Sequence, residues 1–415
     1  MAIINPNIVT DEEKIENILT RGVEDIIDKS ELKKALLSQK QLRIKFGIDP
    51  TGPKIHLGRT IPLRKLREFQ KLGHQIILII GDFTAQVGDA SDKSEKRPIL
   101  TREIIDENLR DYKNQIGKII DLSKTEFVYN SEWLNKLTFS EIVKLAEIFT
   151  VQQMLARRNF KDRYEDGKEI SLREFLYPIM QGYDSVMVKA DVEIGGFDQL
   201  FNLKAGRYIQ EFYGLEKQNI LTTEMLEGTN GEKMSTSQGN VINIIDSPNE
   251  IFGKLMSIKD DLILKYFILC TEINNSEIEE AKNFLADSKN NPRDLKMKLA
   301  KTIVTMYHSE KAAAQAENNF IETFQKNGVP DNLETIIINE AEPEKSLGEI
   351  LVTQKLIKSK AEWKRLISAR AIKFINTEDQ NIEKQNQELV LEDCEVKVYA
   401  GIFKLGKKKF VKISN

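Results

Sequence analysis

The sequence predicts an α/β protein whose main domain is a doubly wound parallel sheet, followed by a helical domain and a small α+β domain. Three features near the start of the chain support the sheet. Residues 42–46 alternate apolar and cationic side chains and end at Gly47, residues 57–72 have apolar side chains at helical spacing, and residues 76–80 form a continuous isoleucine-rich run. A strand, an amphipathic helix and a strand buried on both faces are typical of a parallel α/β unit.

The later elements continue this pattern. Gly73 ends the first helix, and Gly81 follows the second strand. Residues 140–166 and 174–188 have helical spacing, and residues 191–196 are typical of a strand that ends in two glycines. Because ligands of such sheets bind beyond the carboxyl ends of the strands, we expect a site where these glycine segments meet.

The second half of the chain divides by composition. Residues 246–326 are charged and have helical spacing that is interrupted at residues 290–292, which indicates a separate helical domain. A segment with prolines and acidic residues then leads to a last small domain. We therefore predict a main domain at 1–245, a helical domain at 246–328, a linker at 329–345 and a C-terminal domain at 346–415.

The composition is that of an ordinary globular protein. The 415 residues are 40% apolar and 30% charged, with a net charge of −3, which argues against a disordered or membrane protein. Two cysteines, Cys270 and Cys394, and three histidines exclude a disulfide framework and make a zinc cluster an unfavoured interpretation. Residues 1–20 include several acidic residues and lack an apolar core segment, so we expect no signal peptide and a cytoplasmic location.

Two short sequences together predict a nucleotide site. His-Leu-Gly-Arg at residues 56–59 precedes the first helix, so its backbone N–H groups would lie at a helix N-terminus, where phosphate binds. Lys-Met-Ser-Thr-Ser at residues 233–237 offers a cation and three hydroxyls in a small loop that would close over a polyphosphate. Each sequence alone is a weak signal, and the alternative for His56 is a hydrogen-bonded loop histidine.

A second set of polar residues suggests a pocket wall. Tyr177, Gln181 and Asp184 are spaced by four and three residues, so they lie on one stripe of a helix. The alternative is a partly exposed helix face with chance spacing. Residues 193–199 add two glycines where a backbone must approach a ligand, followed by an acid and an amide; a simple turn is the alternative.

The order of these sequences closely resembles that of bacterial-type tyrosyl-tRNA synthetases, over essentially the whole chain. The resemblance implies a class I synthetase with a Rossmann-like catalytic domain, which joins tyrosine to ATP and passes the tyrosyl group to tRNA. The implied catalytic residues, which hold the triphosphate, are His56, Lys93, Arg97 and Lys233. The implied tyrosine-binding residues are Asp89, Asn130, Tyr177, Gln181, Asp184 and Gln199, with Asp184 at the phenol. The implied ATP-binding residues are Gly47, Asp49, Thr51, His56, Gly58, Arg59, Gly196, Asp198, Lys233, Met234, Ser235 and Thr236.

Four positions depart from the usual pattern of that family. Arg59 stands where the first short sequence normally ends in histidine, and Thr236 replaces the second lysine of the loop. Lys45 lies where one branch of the family has a tyrosine near the phenol, and Asp92 replaces a usual glycine. These changes leave the pocket in place but leave room for weak ATP binding.

The C-terminal segment resembles a small RNA-binding module shared with a ribosomal small-subunit protein. Its predicted RNA-binding residues are Lys360, Lys364, Arg365 and Arg370. Because the protein as a whole is acidic, these cations would form a local patch for phosphate contact. For the last four lysines of the chain, a solvated tail is the preferred interpretation.

The resemblance also implies the partners: tRNA(Tyr), L-tyrosine, ATP with Mg²⁺ as a substrate complex, and a second copy of the chain through residues 140–163. No metal site built by the protein and no membrane contact are expected. Two alternatives remain at this point. One is a tryptophanyl relative, which the Tyr177, Gln181 and Asp184 stripe disfavours, and the other is a noncatalytic RNA-binding paralogue.

Overall fold

The main sheet has six strands, of which five are parallel. The computed structural model describes residues 8–89, 100–324, 334–337, 346–354, 356–375, 388–396, 401–406 and 409–414. The chain forms two compact units, Met1–Ala313 and Ala314–Asn415. The strands of the main sheet are β1 (Val23–Ile27), β2 (Arg43–Ile48), β3 (Gln75–Ile80), β4 (Thr125–Tyr129), β5 (Val192–Gly196) and β6 (Asn219–Thr223).

The strand order confirms the predicted doubly wound α/β fold. The order is β1-β6-β5-β2-β3-β4, and only β1 pairs in the antiparallel direction, with β6. From β2 the chain adds β3 and β4 on one side and β5 and β6 on the other, so the order reverses between β2 and β5. Residues 76–80 of β3 are each at most 1% exposed, as expected for a strand covered on both faces. Such a reversal leaves a crevice at the carboxyl ends of the central strands.

Helices connect and cover the strands. The helices of the first part of the chain are α1 (Glu12–Thr20), α2 (Lys29–Leu37), α3 (Leu57–Lys71), α4 (Thr84–Val87), α5 (Arg102–Leu109), α6 (Tyr112–Gly117), α7 (Ser131–Leu134), α8 (Phe139–Ala146), α9 (Val151–Leu155), α10 (Arg158–Glu165), α11 (Leu172–Met187) and α12 (Leu200–Phe212). Those that follow are α13 (Pro248–Met256), α14 (Ile263–Cys270), α15 (Asn275–Ala286), α16 (Pro292–Tyr307) and α17 (Glu310–Phe324).

One helical prediction is corrected in detail, and one helix contains an internal proline. The segment predicted as helical at 140–166 is three short helices. Thr150 starts the second of them: its hydroxyl accepts from the Gln153 N–H, and the Gln153 side chain accepts from the Thr150 N–H in return. A proline is expected only in the first turn of a helix, yet α3 continues through Pro62 in its second turn. Pro62 is buried, so packing offsets the backbone hydrogen bond that is lost.

Within the described residues, the second unit contains most of α17, a separate five-stranded sheet and two further short helices. Its core is formed by apolar residues that include Leu347, Leu351, Trp363 and Phe403. The strand order is β7-β11-β10-β8-β9, with β7 parallel to β11. The elements are β7 (Glu334–Ile337), α18 (Leu347–Thr353), α19 (Lys360–Ser368), β8 (Ile372–Ile375), β9 (Glu388–Val390), β10 (Gly401–Leu405) and β11 (Lys409–Ser414). This agrees with the predicted small α+β domain.

Candidate functional site

A cavity of about 470 Å³ opens at the carboxyl ends of β2, β3, β5 and β6. It lies where the strand order reverses, which is the expected place for a ligand in this fold. Every predicted tyrosine-site or nucleotide-site residue that the structure describes lines this cavity. These residues are Gly47, Asp49, Thr51, His56, Gly58, Arg59, Asp89, Asn130, Tyr177, Gln181, Asp184, Gly196, Asp198, Gln199, Lys233, Met234, Ser235 and Thr236. Lys93, Arg97 and Asp92 lie outside the described residues.

Asp184 forms a rigid polar wall at one side of the cavity. It lies on α11 and is 4% exposed. The Trp133 indole N–H donates to Oδ1 at 2.7 Å, and the Asn130 amide donates to Oδ2 at 3.3 Å. Burial raises the pKa of Asp184 to about 7, and the positive charge of Lys45 and these hydrogen bonds limit the rise. The carboxyl is therefore fixed in place and sensitive to pH near neutrality.

Lys45 supports this wall from behind and does not line the cavity. Its ammonium lies 2.9 Å from Glu193 Oε1, and both side chains are at most 1% exposed. The same ammonium donates to the Ser185 hydroxyl and to the Gln181 carbonyl, each at 2.7 Å. A buried cation that is satisfied on three sides is a structural anchor for α11 rather than a group available to a ligand. This explains how the chain accommodates lysine at a position where a tyrosine would reach the phenol.

Asp49 and Asp89 form the acidic part of the cavity. Tyr177 donates its hydroxyl to Asp49 Oδ2 at 2.8 Å, and Thr84 donates to Oδ1 at 2.7 Å. The Gln199 amide donates to Asp89 Oδ2 at 2.7 Å. The buried Arg157 guanidinium also lies 3.7 Å from Asp89 Oδ1. These contacts fix both carboxylates at the cavity surface, where they can face a cationic group of a ligand.

The opposite side of the cavity is formed by the start of α3 and the loop at 233–237. The two segments touch, because the Gly58 N–H donates to Met234 Sδ at 3.3 Å. Lys233 lies 3.0 Å from Asp198 Oδ2. Burial, together with the nearby positive charges of Arg59 and Lys233, lowers the pKa of His56 to about 3. His56 is therefore a neutral hydrogen-bonding group beside two cations, which suits an anionic ligand.

Three contributors were missed by the sequence predictions. Trp133 and Thr84 hold Asp184, Asn130 and Asp49 through side-chain hydrogen bonds, but neither lies in a recognisable spacing. Gly81 was predicted to lie at the ligand-binding end of its strand, but its contact with Asp49 was not predicted. A Cβ on Gly81 would lie 2.0 Å from Asp49 Oδ1, so any other residue would displace that carboxylate. For Gly81, the sequence signal was a glycine directly after a buried strand.

The predicted RNA-binding cations lie on the second unit and are solvent-exposed. Lys360, Lys364 and Arg365 are on α19, and Arg370 follows it. Lys360 lies 2.7 Å from Glu349 Oε1, and Arg370 pairs with Glu392. Lys364 has no ion-pair partner within the part of the chain that is described. Within that same part, no three His, Cys, Asp or Glu side chains are grouped as metal ligands, and no helix is long and apolar enough to cross a membrane.

Comparisons with known proteins agree with this geometry. The family model for class I tRNA synthetases (W and Y) matches residues 37–325. The tyrosine-tRNA ligase of Thermotoga maritima is 44% identical over 410 residues, covering 98% of both chains. That of Carboxydothermus hydrogenoformans is 46% identical over 404 residues, covering 95% of this chain and 96% of the relative.

Solved structures show the same fold. The Archaeoglobus fulgidus tyrosyl-tRNA synthetase, solved with L-tyrosine, has a TM-score of 0.59 at 24% identity and covers 74% of this chain and 99% of its own. The C-terminally truncated mitochondrial enzyme of Aspergillus nidulans has a TM-score of 0.62 at 22% identity, covering 76% of this chain and 95% of its own. At these identities the likeness concerns the fold alone.

Proposed function

This chain belongs to the tyrosine-tRNA ligases, a family of class I tRNA synthetases, and from that premise we propose how its cavity activates tyrosine. The overall reaction is that of an aminoacyl-tRNA ligase. Tyrosine and ATP give tyrosyl-adenylate and pyrophosphate, and the tyrosyl group then passes to the 3′ end of tRNA(Tyr). ATP enters as its Mg²⁺ complex, as a substrate rather than as a resident cofactor.

The observation that carries the proposal is the buried carboxyl of Asp184 in the wall of the cavity. Because Trp133 and Asn130 fix both of its oxygens, it would accept the phenol hydroxyl of tyrosine without rearrangement. Phenylalanine would leave the carboxyl unpaired, and rejection of phenylalanine by about 10⁵ is the value already known for this enzyme family. Discrimination of that size makes a proofreading domain unnecessary.

The ammonium of tyrosine would bind at the acidic part of the cavity. Asp89 would supply the charge, and Tyr177 and Gln181 would complete the contacts. Gln199 donates to Asp89, which would bind the ammonium end of the amino acid. Asn130 donates to Asp184, which would bind the phenol end. The tyrosine would therefore be fixed at its phenol and its ammonium, with its carboxylate left free to react.

ATP would lie across the start of α3 and the loop at 233–237. Gly47, Gly196 and Asp198 would face the adenosine, and a Cβ on Gly196 would come within 2.6 Å of Asp198 Oδ1, so the glycine keeps that surface open. When ATP binds, Lys233 would exchange Asp198 for phosphate, and Asp198 would turn to the ribose hydroxyls. His56, Lys233 and the predicted Lys93 and Arg97 would hold the triphosphate.

The first step needs no base or covalent nucleophile. The tyrosine carboxylate is already ionised, and its oxygen forms a bond to the α-phosphorus while the bond to the bridging oxygen of pyrophosphate breaks. Catalysis then depends on positioning and on donors that stabilise the charge that develops on the phosphates. The neutral His56 would contribute a hydrogen bond and Lys233 a charge.

Tyrosine-dependent exchange of labelled pyrophosphate into ATP tests this function directly. Exchange is expected with tyrosine and not with tryptophan, which separates the enzyme from the tryptophanyl alternative. Absence of exchange with either amino acid would leave the noncatalytic RNA-binding paralogue as the better interpretation.

We also propose a cytoplasmic homodimer. Phe139 and Leu172 are each 80% exposed, and they lie on α8 and α11, which pack around the apolar cluster of Leu145, Met154 and Ile179. Further exposed apolar residues on the neighbouring segments are Val143, Val151, Tyr208 and Phe212. So much apolar surface on one group of packed helices is typical of a protein interface.

Light scattering after gel filtration tests the dimer. The wild type is expected at twice the chain mass of 47.6 kDa. The Phe139→Glu/Leu172→Glu double variant is expected at the mass of a single chain, because two buried charges would face each other across the interface. Leu37→Glu, at an exposed apolar residue on α2, is the matched control and is expected to stay dimeric. A monomeric wild type would contradict the proposal.

A further inference from the structure

Arg59 is a cation at a position where a positive charge does not stabilise the helix. It is the third residue of α3, and the first turn of that helix contains no acidic residue. A positive charge there opposes the helix dipole, which favours anions at an N-terminus. Arg59 lines the cavity, and it has no ion-pair partner within the described part of the chain. The charge is therefore available to a ligand in the cavity.

Neutral groups hold the Arg59 guanidinium in place. One terminal nitrogen donates to Thr51 Oγ1 at 2.5 Å, and the other donates to the Tyr112 hydroxyl at 2.7 Å. Tyr112 is fully buried, and burial raises the pKa of its hydroxyl, so the hydroxyl stays uncharged. These two hydrogen bonds use two of the five N–H donors of a guanidinium, which leaves a fixed, positively charged group for phosphate.

Compared with the usual family sequence, the loop at 233–237 has one cation fewer, whereas the start of α3 has one more, Arg59. Thr236 is an exposed, neutral residue at the mouth of the cavity, in the place of the second lysine of the family sequence. The remaining loop cation, Lys233, is paired with Asp198. The loop and the start of α3 are in contact through Gly58 and Met234. One cation is thus lost and another gained on two segments that touch.

We propose that Arg59 is a catalytic residue that binds the β- and γ-phosphates of ATP and supplies the positive charge that Thr236 lacks. This inference rests on the proposed function, since it takes the ligand of the cavity to be ATP. As the tyrosine carboxylate bonds to the α-phosphorus, the electron pair of the breaking bond stays on the leaving pyrophosphate. Arg59 neutralises that charge with a guanidinium already held in position, and no proton is transferred.

A reciprocal exchange of residues tests the proposal. Arg59→His and Thr236→Lys each restore the usual family residue, and they are compared singly and together in the full-length protein by pyrophosphate exchange. Arg59→His is expected to lower kcat/KM for ATP by about 100-fold, the usual cost of one lost stabilising donor. Adding Thr236→Lys to Arg59→His is expected to recover about tenfold or more, because a second cation returns to the same phosphates.

Controls separate charge from structure. Tyr112→Phe removes one hydrogen-bond partner of Arg59 and keeps the positive charge, so it is expected to lower kcat/KM for ATP by less than about fivefold. The affinity for tyrosine without ATP, measured by calorimetry, is expected to stay unchanged in every variant. A merely structural role of Arg59 would not be rescued by a lysine on the loop.

Two results would overturn the proposal: Arg59→His with kcat/KM for ATP close to that of the wild type, or a double variant no better than Arg59→His alone. ATP binding measured by calorimetry without tyrosine gives a second, independent readout, and Arg59→His is expected to weaken it. Failure of exchange in the wild type would contradict the proposed function, whereas equal ATP affinity of wild type and Arg59→His would contradict the role of Arg59.

Discussion

At the scale of single residues, the cavity combines groups whose ionisation is set by burial. Asp184 and His56 are both buried, but burial disfavours the charged form of each, so it moves the two pKa values in opposite directions. The carboxyl titrates near neutrality, and the imidazole stays neutral down to strongly acidic pH. The two residues should therefore have different effects on how activity depends on pH.

Asp184 should make tyrosine use sensitive to pH. Its pKa of about 7 lies above the ordinary value, so the protonated carboxyl accumulates as pH falls below 7 and stops acting as a charged acceptor for the phenol. The KM for tyrosine is expected to rise by up to about tenfold per pH unit below 7, with the KM for ATP unchanged. Steady-state exchange between pH 5.5 and 8.5 measures both constants.

Asp184→Asn provides the matched control for that titration. The variant is expected to lose about 100-fold or more in kcat/KM for tyrosine and to show a flat pH profile, since its amide does not ionise. If the variant retained the pH dependence of the wild type, another group would be responsible for it.

His56 should contribute equally at every pH in the working range. With its pKa lowered to about 3, the imidazole is uncharged from pH 5 to pH 9. His56→Asn, which keeps a hydrogen-bond donor, is expected to lower kcat by a factor that is constant over that range. The measurement is the ratio of wild-type to variant kcat at each pH. A ratio that grows as pH falls would show that the imidazolium is the active form.

At the scale of elements, the pairing of α11 with α12 sets the position of the tyrosine wall. Gly182 on α11 faces Ala205 and Ile209 on α12, and a Cβ there would lie 2.7 Å from Ile209 Cδ1 and 3.0 Å from the Ala205 carbonyl carbon. Since Ala205 contributes backbone at this contact, a side chain at 182 would push the helices apart. The same helix carries Tyr177, Gln181 and Asp184.

Gly182→Ala should therefore affect both stability and tyrosine binding. We expect a loss of about 1–3 kcal/mol in the free energy of unfolding and a higher KM for tyrosine, with a smaller effect on the KM for ATP. Gly253→Ala, on α13, is the matched control, because nothing lies within 4 Å of its Cβ. This control is expected to gain up to about 1 kcal/mol. Thermal unfolding gives the stabilities, and equal effects of the two variants would contradict the close contact.

Elements with a strong local signal were predictable from the sequence. The isoleucine-rich β3, the glycine-terminated α3 and the β5 strand that ends in two glycines were found, because each combines an apolar pattern with a chain break. The three helices of this segment were not separated, since the break before α9 depends on side-chain capping at Thr150, and the break before α10 at Arg157 has neither a side-chain cap nor a glycine or proline. The sheet order could not be read from composition, because pairing of β2 with β5 joins segments about 150 residues apart.

The part of the candidate site that lies on a single helix was predictable from the spacing of its polar residues. The stripe of Tyr177, Gln181 and Asp184 needs only helical periodicity. The support of Asp184 by Trp133, and of Asp49 by Thr84, depends on contacts between different elements, which no local pattern reports. The inward position of Lys45 also required the structure, because an alternating strand alone does not tell which face meets the cavity.

At the scale of the whole molecule, an acidic chain has to bind a polyanion. The net charge is −3, so long-range attraction to RNA is weak and the contact depends on local cations. On the second unit, α19 presents Lys364 to solvent, whereas Lys360, Arg365 and Arg370 each have a carboxylate neighbour. Lys364 can therefore contact a phosphate without giving up an ion pair seen among the described residues.

The affinity for tRNA(Tyr) should accordingly depend on salt in a way that one lysine changes measurably. Each phosphate neutralised by a lysine releases about one counterion, so Lys364→Gln is expected to reduce the slope of log K against log salt by about 1. Lys34→Gln, on α2 with a side chain 79% exposed, is the matched control and should leave the slope unchanged. Filter binding or fluorescence anisotropy between 50 and 300 mM salt, about the range where such slopes are linear, measures it. Tyrosine-dependent pyrophosphate exchange should be the same in both variants, because the adenylate forms in the cavity without RNA. A Lys364→Gln slope equal to that of the wild type would place the phosphate contacts on another surface.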